Sequence, residues 1–466
     1  MEKRKHIDDS DVERILQQGE AQLRAAPSKQ GALDAATLRT VVLTVAFIVA
    51  IAVVTLPQLR FGGFKEATIK LDATPLGPVF GQGCKRHHRS VNTPWPLKGP
   101  RHVRDAWIHK SDFGSQSDTQ YAHMAMIESL GNGSMVAAFQ ASTRLEGSND
   151  QHIRLSFAHD LSGLSWGPSQ PMPVPRTAAQ WSPVLHRDTK SRLWIFYTEG
   201  RDCKHDSSKD ALWYPGGDIK VTMLGEGGAK WKAPRTIYAQ TEDDGIPKVL
   251  ANKLIVLSDG QWVLPLWSER HSAGTCQFGS EAVASAGVLV SRDQGWSWER
   301  RGRISSSQTW LIENSVVELK NGHLLMFFRT LKGFIYQAVS ADQGYTWSTA
   351  EASSLANPDA KIHLARLADG MLAVAYNNHQ KLKRPYRRCR TNLDVSVSIN
   401  EGRTWTRLAR LEDTEEGGLR NHYPTMLQVG CTLYVAYSRF YHEEFAYRAT
   451  NTTGHLGVRI VALDLR

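Results

Sequence analysis

The chain has 466 residues, of which 41% are hydrophobic and 22% charged, with 14 Trp. It is too long for one small domain and too apolar for a disordered chain, so one large core with added segments is expected. The net charge of +10 favours anionic partners such as acidic glycans or lipid headgroups; no nucleic-acid-binding motif accompanies it, so no nucleic acid is expected as a partner.

Five cysteines are scattered at Cys84, Cys203, Cys276, Cys389 and Cys431. None forms a CxxC pair, which argues against zinc, and neither a metal nor a cofactor is expected. The odd number leaves at least one thiol free or paired between chains, and most of them read as small buried hydrophobes.

In chain order, residues 1–39 are polar, of mixed charge, and read as a cytosolic tail. Residues 40–59 carry no charge and include VVLTVAFIVAIAVVTL. At about 1.5 Å per residue they reach about 30 Å, one bilayer core, and predict a transmembrane signal-anchor helix. A cleavable signal peptide would begin nearer the terminus and end in small residues. Basic residues balance on the two sides: Arg24, Lys29 and Arg39 against Arg60, Lys65 and Lys70. Sequons at Asn132 and Asn451 therefore carry the orientation. The expectation is a single-pass type II membrane protein of the secretory pathway, with a luminal or extracellular domain. Residues 60–117 read as a stalk and ring-closing segment.

From residue 118 to residue 466 the chain repeats an apolar strand, a turn and a second apolar strand. Six copies align, beginning at Ala122, Trp181, Pro247, Ile312, Ile362 and His422. Asn-Gly and Asp-Gly turns join the strands of several copies, as hairpins require. A second repeat runs in phase with the first. Ser291 to Trp298 and Ser340 to Trp347 fit S-x-D-x-G-x-x-W; Ser398 to Trp405 fits with Asn400 for Asp, and weaker copies end at Trp166 and Trp231. In such an Asp box the carboxylate accepts bonds within its own turn, Gly supplies unusual dihedrals and Trp plugs between strands. Asp293 and Asp342 are thus structural. The pattern predicts an all-β, six-bladed β-propeller, with LGVRIVALDL pairing with VRDAWIHK to close the ring.

The starts of the innermost strands open onto one face of a propeller. His123, Trp181, Lys248, Glu313, His363, His422 and Tyr423 should converge there, joined by Glu199, Arg329, Asn378 and Arg439 from second-strand ends. Asn252-Lys253 precedes a strand, so Lys253 reads equally as a rim charge or an anion ligand. The basic run from Lys381 to Arg390 reads as a solvated loop apart from Arg390.

The stretch from Glu313 through Val316-Val317-Glu318-Leu319 and Asn321-Gly322 to Arg329, with its Asp box, resembles the fourth blade of exo-sialidases. Arg390 before a strand and box is similar to that family's fifth blade, and His422-Tyr423-Pro424 to the start of its last. AAFQASTRLEGSNDQ is similar to its first-blade stretch, which makes Arg144 a binding residue and Asp150 the acid/base. The resemblance implies a sialidase-like glycoside hydrolase acting on terminal acidic sugars. Tyr423 would be the nucleophile and Glu313 its base, with Arg329 and Arg390 on the substrate carboxylate. His422, Asn378 and Arg439 would help bind. The family's first arginine has no counterpart; the aligned residue is His123. That change also suits a sialidase-fold lyase of uronate glycans with His123 in the base role, or a propeller that only binds glycan.

Overall fold

The computed structural model describes residues 103–466, apart from 112–118, 131–133, 161, 205–211, 226–229, 243–244, 269–282, 381–389, 414–418 and 442–456. The tail, the 40–59 span, most of the stalk, both sequons and most of the basic run lie outside the described residues. Among the described residues no helix is long and apolar enough to cross a membrane.

Alternating and wholly apolar strands, cut by tight turns, build six antiparallel sheets. The first blade is β2 (Tyr121–Ser129), β3 (Met135–Ser142), β4 (His152–Ala158) and β5 (Gln170–Pro171). The second is β6 (Gln180–Arg187), β7 (Leu193–Glu199), β8 (Asp218–Leu224) and β9 (Arg235–Tyr238). In the third, the inner strand is split into β10 (Lys248–Val249) and β11 (Ile255–Val256), followed by β12 (Trp262–Ser268), β13 (Ala286–Ser291) and β14 (Glu299–Ile304). The fourth is β15 (Ile312–Glu318), β16 (Leu324–Arg329), β17 (Phe334–Ser340) and β18 (Glu351–Ala356). The fifth is β19 (His363–Arg366), β20 (Leu372–Asn377), β21 (Leu393–Ser398) and β22 (Thr406–Glu412).

The sixth blade joins the two ends of this fold. β23 (Leu419–Val429), β24 (Thr432–Tyr441) and β25 (Gly457–Asp464) take their fourth strand from β1 (Val103–Lys110), paired from Val103↔Leu463 to Lys110↔Gly457 with one register shift between Trp107 and His109. This is the expected closure, and it removes a long open edge.

The middle strands are buried on both faces, so apolar layers fill the gaps between neighbouring blades; Phe327, Ile335, Leu364 and Val374 of blades four and five share one such layer. The Asp boxes clamp the periphery. Asp293 accepts from the backbone N–H groups of Trp296 and Ser297, and the Trp298 indole donates to Gly295 O at 3.0 Å. Asp342 and Trp347 repeat the pattern with Thr346 and Gly344. The residue before each box glycine is left-handed (Gln294 φ 56°, Gln343 φ 57°, Glu401 φ 60°), and the glycine continues that turn.

Candidate active site

Four inner strands break their ladders at the same place. Two residues bulge opposite one partner residue after His123, Trp181, Ile312 and His422. The first bulged residue is left-handed in every case: Met124 (φ 59°), Ser182 (φ 51°), Glu313 (φ 49°) and Tyr423 (φ 59°). Such strain in non-glycine residues persists only where the surroundings hold it. Side chains from the preceding blade do so at three bulges. Gln140 Oε1 accepts from Ser182 N at 3.0 Å, Asn252 Nδ2 donates to Glu313 O at 2.8 Å, and Lys361 Nζ donates to Pro424 O at 2.7 Å. Lys361 is 1% exposed, and burial lowers its ammonium to about 7, against the pull of Glu313.

Two of the bulges bring Glu313 and Tyr423 together. The Tyr423 hydroxyl donates to Glu313 Oε1 at 2.5 Å. Arg329 Nη1 donates both to that carboxylate oxygen (2.9 Å) and to the Tyr423 hydroxyl (2.8 Å), and its Nε donates to Asp359 at 2.7 Å. All four side chains are buried. Burial pushes the Tyr423 phenol well above its ordinary value, opposed by Arg329 and Arg390 and reinforced by Glu313. The neutral hydroxyl therefore has its proton already aimed at a base. Arg390 Nη1 donates to His422 Nδ1 at 2.9 Å, and its guanidinium stands 5.2 Å over the Tyr423 ring. Two buried atoms beside this core, Glu313 Oε2 and Arg390 Nε, have no hydrogen-bond partner among the described residues. An acceptor and a donor thus remain for a ligand.

The structure corrects the alignment of His123. Bulge register matches His123 with Ile312 and His422, and it is Met124 that matches Glu313 and Tyr423. Met124 shares an apolar cluster with Leu311 and Tyr423. His123 is buried, with Nδ1 2.7 Å from Ser438 Oγ and its ring 4.2 Å from that of Tyr423. It is a packed neighbour of the phenol.

Three further predicted residues turn to acids of their own. Lys253 Nζ donates to Glu128 at 2.7 Å, near the far end of β2, about 15 Å along the strand from His123; it is the rim charge of the two readings. Asn378 is turned outward to Asp394 (2.9 Å), which Arg410 also binds. Arg439 Nη1 donates to Glu412 of blade five (3.1 Å), on the opposite face of β24 from Ser438. Asp150 Oδ2 accepts from Thr143 N at 2.7 Å and so caps its own loop, while Arg144 is exposed.

Sequence reasoning passed over a carboxylate in that loop. Glu146 accepts from Gln140 Nε2 at 3.0 Å and bonds the half-buried Tyr121, whose ring is 5.8 Å from that of His123. Glu146 is solvent-exposed, but its carboxyl loses part of its hydration against the protein. That loss of hydration raises the carboxyl above the usual range; Arg390 and Gln140 oppose the shift and Glu313 adds to it. Only its position between two predicted residues, Arg144 and Asp150, signals it in the sequence. Among the described residues no cluster of His, Cys, Asp and Glu could hold a metal ion. Cys203, buried as expected of a small hydrophobe, and Cys431 each form a disulfide.

A family model described as BNR repeat-like domain matches residues 133–435. The chain belongs to the BNR repeat family. Its solved neighbours share the sialidase fold at low identity. A Dyadobacter fermentans protein of unknown function has a TM-score of 0.59 at 16% identity, over 78% of this chain and 99% of that one. The NanB sialidase of Streptococcus pneumoniae has a TM-score of 0.55 at 13% identity, over 77% and 70%. Trypanosoma rangeli sialidase, solved as a covalent intermediate with 2,3-difluorosialic acid, has a TM-score of 0.56 at 15% identity, over 77% and 59%. No curated protein matches the sequence significantly.

Proposed function

We propose that this propeller is a retaining glycoside hydrolase for a terminal acidic sugar. The observation that carries the reading is the Tyr423–Glu313 hydrogen bond of 2.5 Å with Arg329 bridging both groups. A phenol is a poor nucleophile until its proton leaves, and Glu313 is placed to take it. A neutral phenol also avoids repelling a substrate carboxylate, which Arg390 and Arg329 attract. In the first step Tyr423 Oη bonds to the anomeric carbon and its proton passes to Glu313. The glycosidic C–O bond breaks as Glu146 protonates the leaving oxygen. In the second step water attacks the same carbon and gives a proton to Glu146, and Tyr423 leaves with the proton held on Glu313. Glu146 takes the acid role in place of Asp150, whose carboxylate caps its own turn.

We propose further that residues 40–59 anchor the chain and that the propeller faces an oxidising compartment. The disulfides at Cys203 and Cys431 support this, because such bonds persist there and are rare in the cytosol. Protease treatment of intact microsomes should leave the propeller whole; digestion without detergent would reverse the orientation.

The chemistry is tested by trapping. Incubation with 2,3-difluorosialic acid should add one sugar to the intact mass, on the peptide that holds Tyr423. Neither adduct nor turnover would leave a binding protein, and an unsaturated, ultraviolet-absorbing product from a uronate glycan would make it a lyase.

A further inference from the structure

Of the four bulges, the one that carries Tyr423 is the hardest to hold. Tyr423 is left-handed (φ 59°) and stands directly before Pro424. A proline ring crowds the residue that precedes it and drives that residue toward extended backbone. A left-handed tyrosine there is disfavoured on both counts. Tyr423 and Pro424 also leave the β23–β24 ladder, which jumps from His422↔Ser438 to Thr425↔Ala436. The Pro424 carbonyl must therefore find its donor outside its own blade.

Blade five supplies that donor. Lys361 is buried, and its Nζ donates to Pro424 O at 2.7 Å. Two residues on, Met426 N donates to Nδ1 of the buried His363 at 2.9 Å. Blade five thus grips β23 on both sides of Thr425. The bulges at Ser182 and Glu313 are held by the neutral amides of Gln140 and Asn252. At Tyr423 the holding group is an amine that can carry charge, which makes a stronger bond to a carbonyl and is harder to bury than an amide. The stronger grip falls where the backbone is most strained.

We infer that Lys361 is a positioning residue for the nucleophile: its amine holds the Pro424 carbonyl and so fixes the left-handed turn that delivers Tyr423 Oη to Glu313. The inference rests on the glycosidase reading and adds to it a residue that touches neither substrate nor reacting atoms. Without the grip Tyr423 relaxes to negative φ and its hydroxyl leaves Glu313. The arginines that attract a substrate carboxylate stay where they are.

The test separates the covalent step from binding, on full-length protein. Lys361→Met keeps the length of the side chain and loses the donor. Labelling by 2,3-difluorosialic acid should slow roughly 10²-fold, as misplacing a reacting group by about 1 Å can do. Affinity for a thioglycoside of sialic acid, bound without cleavage, should stay within about threefold of wild type. Pro424→Ala, added to Lys361→Met, removes the crowding on Tyr423 and should recover about tenfold of the lost rate. Leu364→Ala truncates a core side chain of the same blade and controls for stability. It should lower the melting temperature without slowing the labelling of folded protein. Should Lys361→Met not fold, Lys361→Gln takes its place, with an amide too short to reach the carbonyl and the same split expected. No labelling of wild type overturns the glycosidase reading, and the positioning role with it. Where wild type is labelled, a rate that Lys361→Met keeps within about twofold overturns the positioning role alone. So does a loss that Leu364→Ala reproduces, an equal loss of affinity, or no recovery from Pro424→Ala.

Discussion

At Asp342 a carboxylate is bonded by Thr346, four residues further on; at Glu313 a carboxylate is bonded by Arg329 and Tyr423, 16 and 110 residues away. The first arrangement sits on the outer rim and recurs at Asp293, with Asn400 in the acid's place in a third box; the second sits at the channel mouth and is made once. The box satisfies its acid within a single turn, in water, so it forms wherever its eight residues recur. The mouth satisfies its acids only when blades four, five and six have closed around it. Local satisfaction yields a robust scaffold, whereas long-range satisfaction yields a strained, desolvated group of the kind that chemistry uses.

Substitutions at the two places should separate accordingly. The largest effect is expected from Tyr423→Phe, which removes only a hydroxyl. Turnover of an aryl sialoside should fall by roughly 10³-fold or more while the melting temperature holds. Retained turnover would mean that the mouth does no covalent chemistry. Arg329→Ala comes next and acts on folding. It leaves Glu313 and Asp359 buried without their cation, which should cost about 3–5 kcal/mol in denaturant melts. A loss below 1 kcal/mol would show the mouth to be as self-sufficient as a box.

Glu146→Gln is expected to slow hydrolysis roughly 10²-fold for alkyl leaving groups, and far less for a nitrophenol that needs no proton. An acid must be protonated to act. The raised carboxyl keeps wild-type activity on alkyl substrates into weakly acidic solution, and that activity should decline as pH rises through its titration. Equal losses on both substrates would return the role to Asp150. The smallest effect is expected from Asp342→Asn, since Asn400 already serves the fifth box. At neutral pH the melting temperature should move by only about a degree or two. Bonds from Thr346 hold the Asp342 carboxyl down at about 2, below its ordinary value. Its contribution is therefore present above pH 4 and lost as pH falls through about 2. Wild type and Asp342→Asn should converge over that acid range.

The same contrast explains what could be read from the sequence. Asn-Gly turns, box residues and strand pairs are local, so six blades, their phase and the β1–β25 closure were all legible. Glu313, Arg329 and Tyr423 were legible too, because each stands at a strand end and carries a resemblance. Bulges were not legible. Nothing in Ala122-His123-Met124-Ala125 announces that two residues will face one, and that extra residue moves Met124 into the place aligned with His123. The blade-one loop hid Glu146 for a related reason: loop residues have no period to follow. Lys253, Asn378 and Arg439 misled because strand position alone says nothing about nearby acids, and each turned toward one.

Closure of the ring has a consequence for the order of synthesis. Among the described strands β1 is made first and its partner β25 last. While blades one to five are being made, Val103–Lys110 has no strand to join, and the first blade lacks its neighbour on one side. The long-range step comes last and brings together residues as distant as Val103 and Leu463. Until it occurs the nascent propeller is an open arc with two unpaired edges, a shape that invites pairing with another copy. The arc becomes a ring only when β1 pairs with β25, the last pairing that the order of synthesis allows.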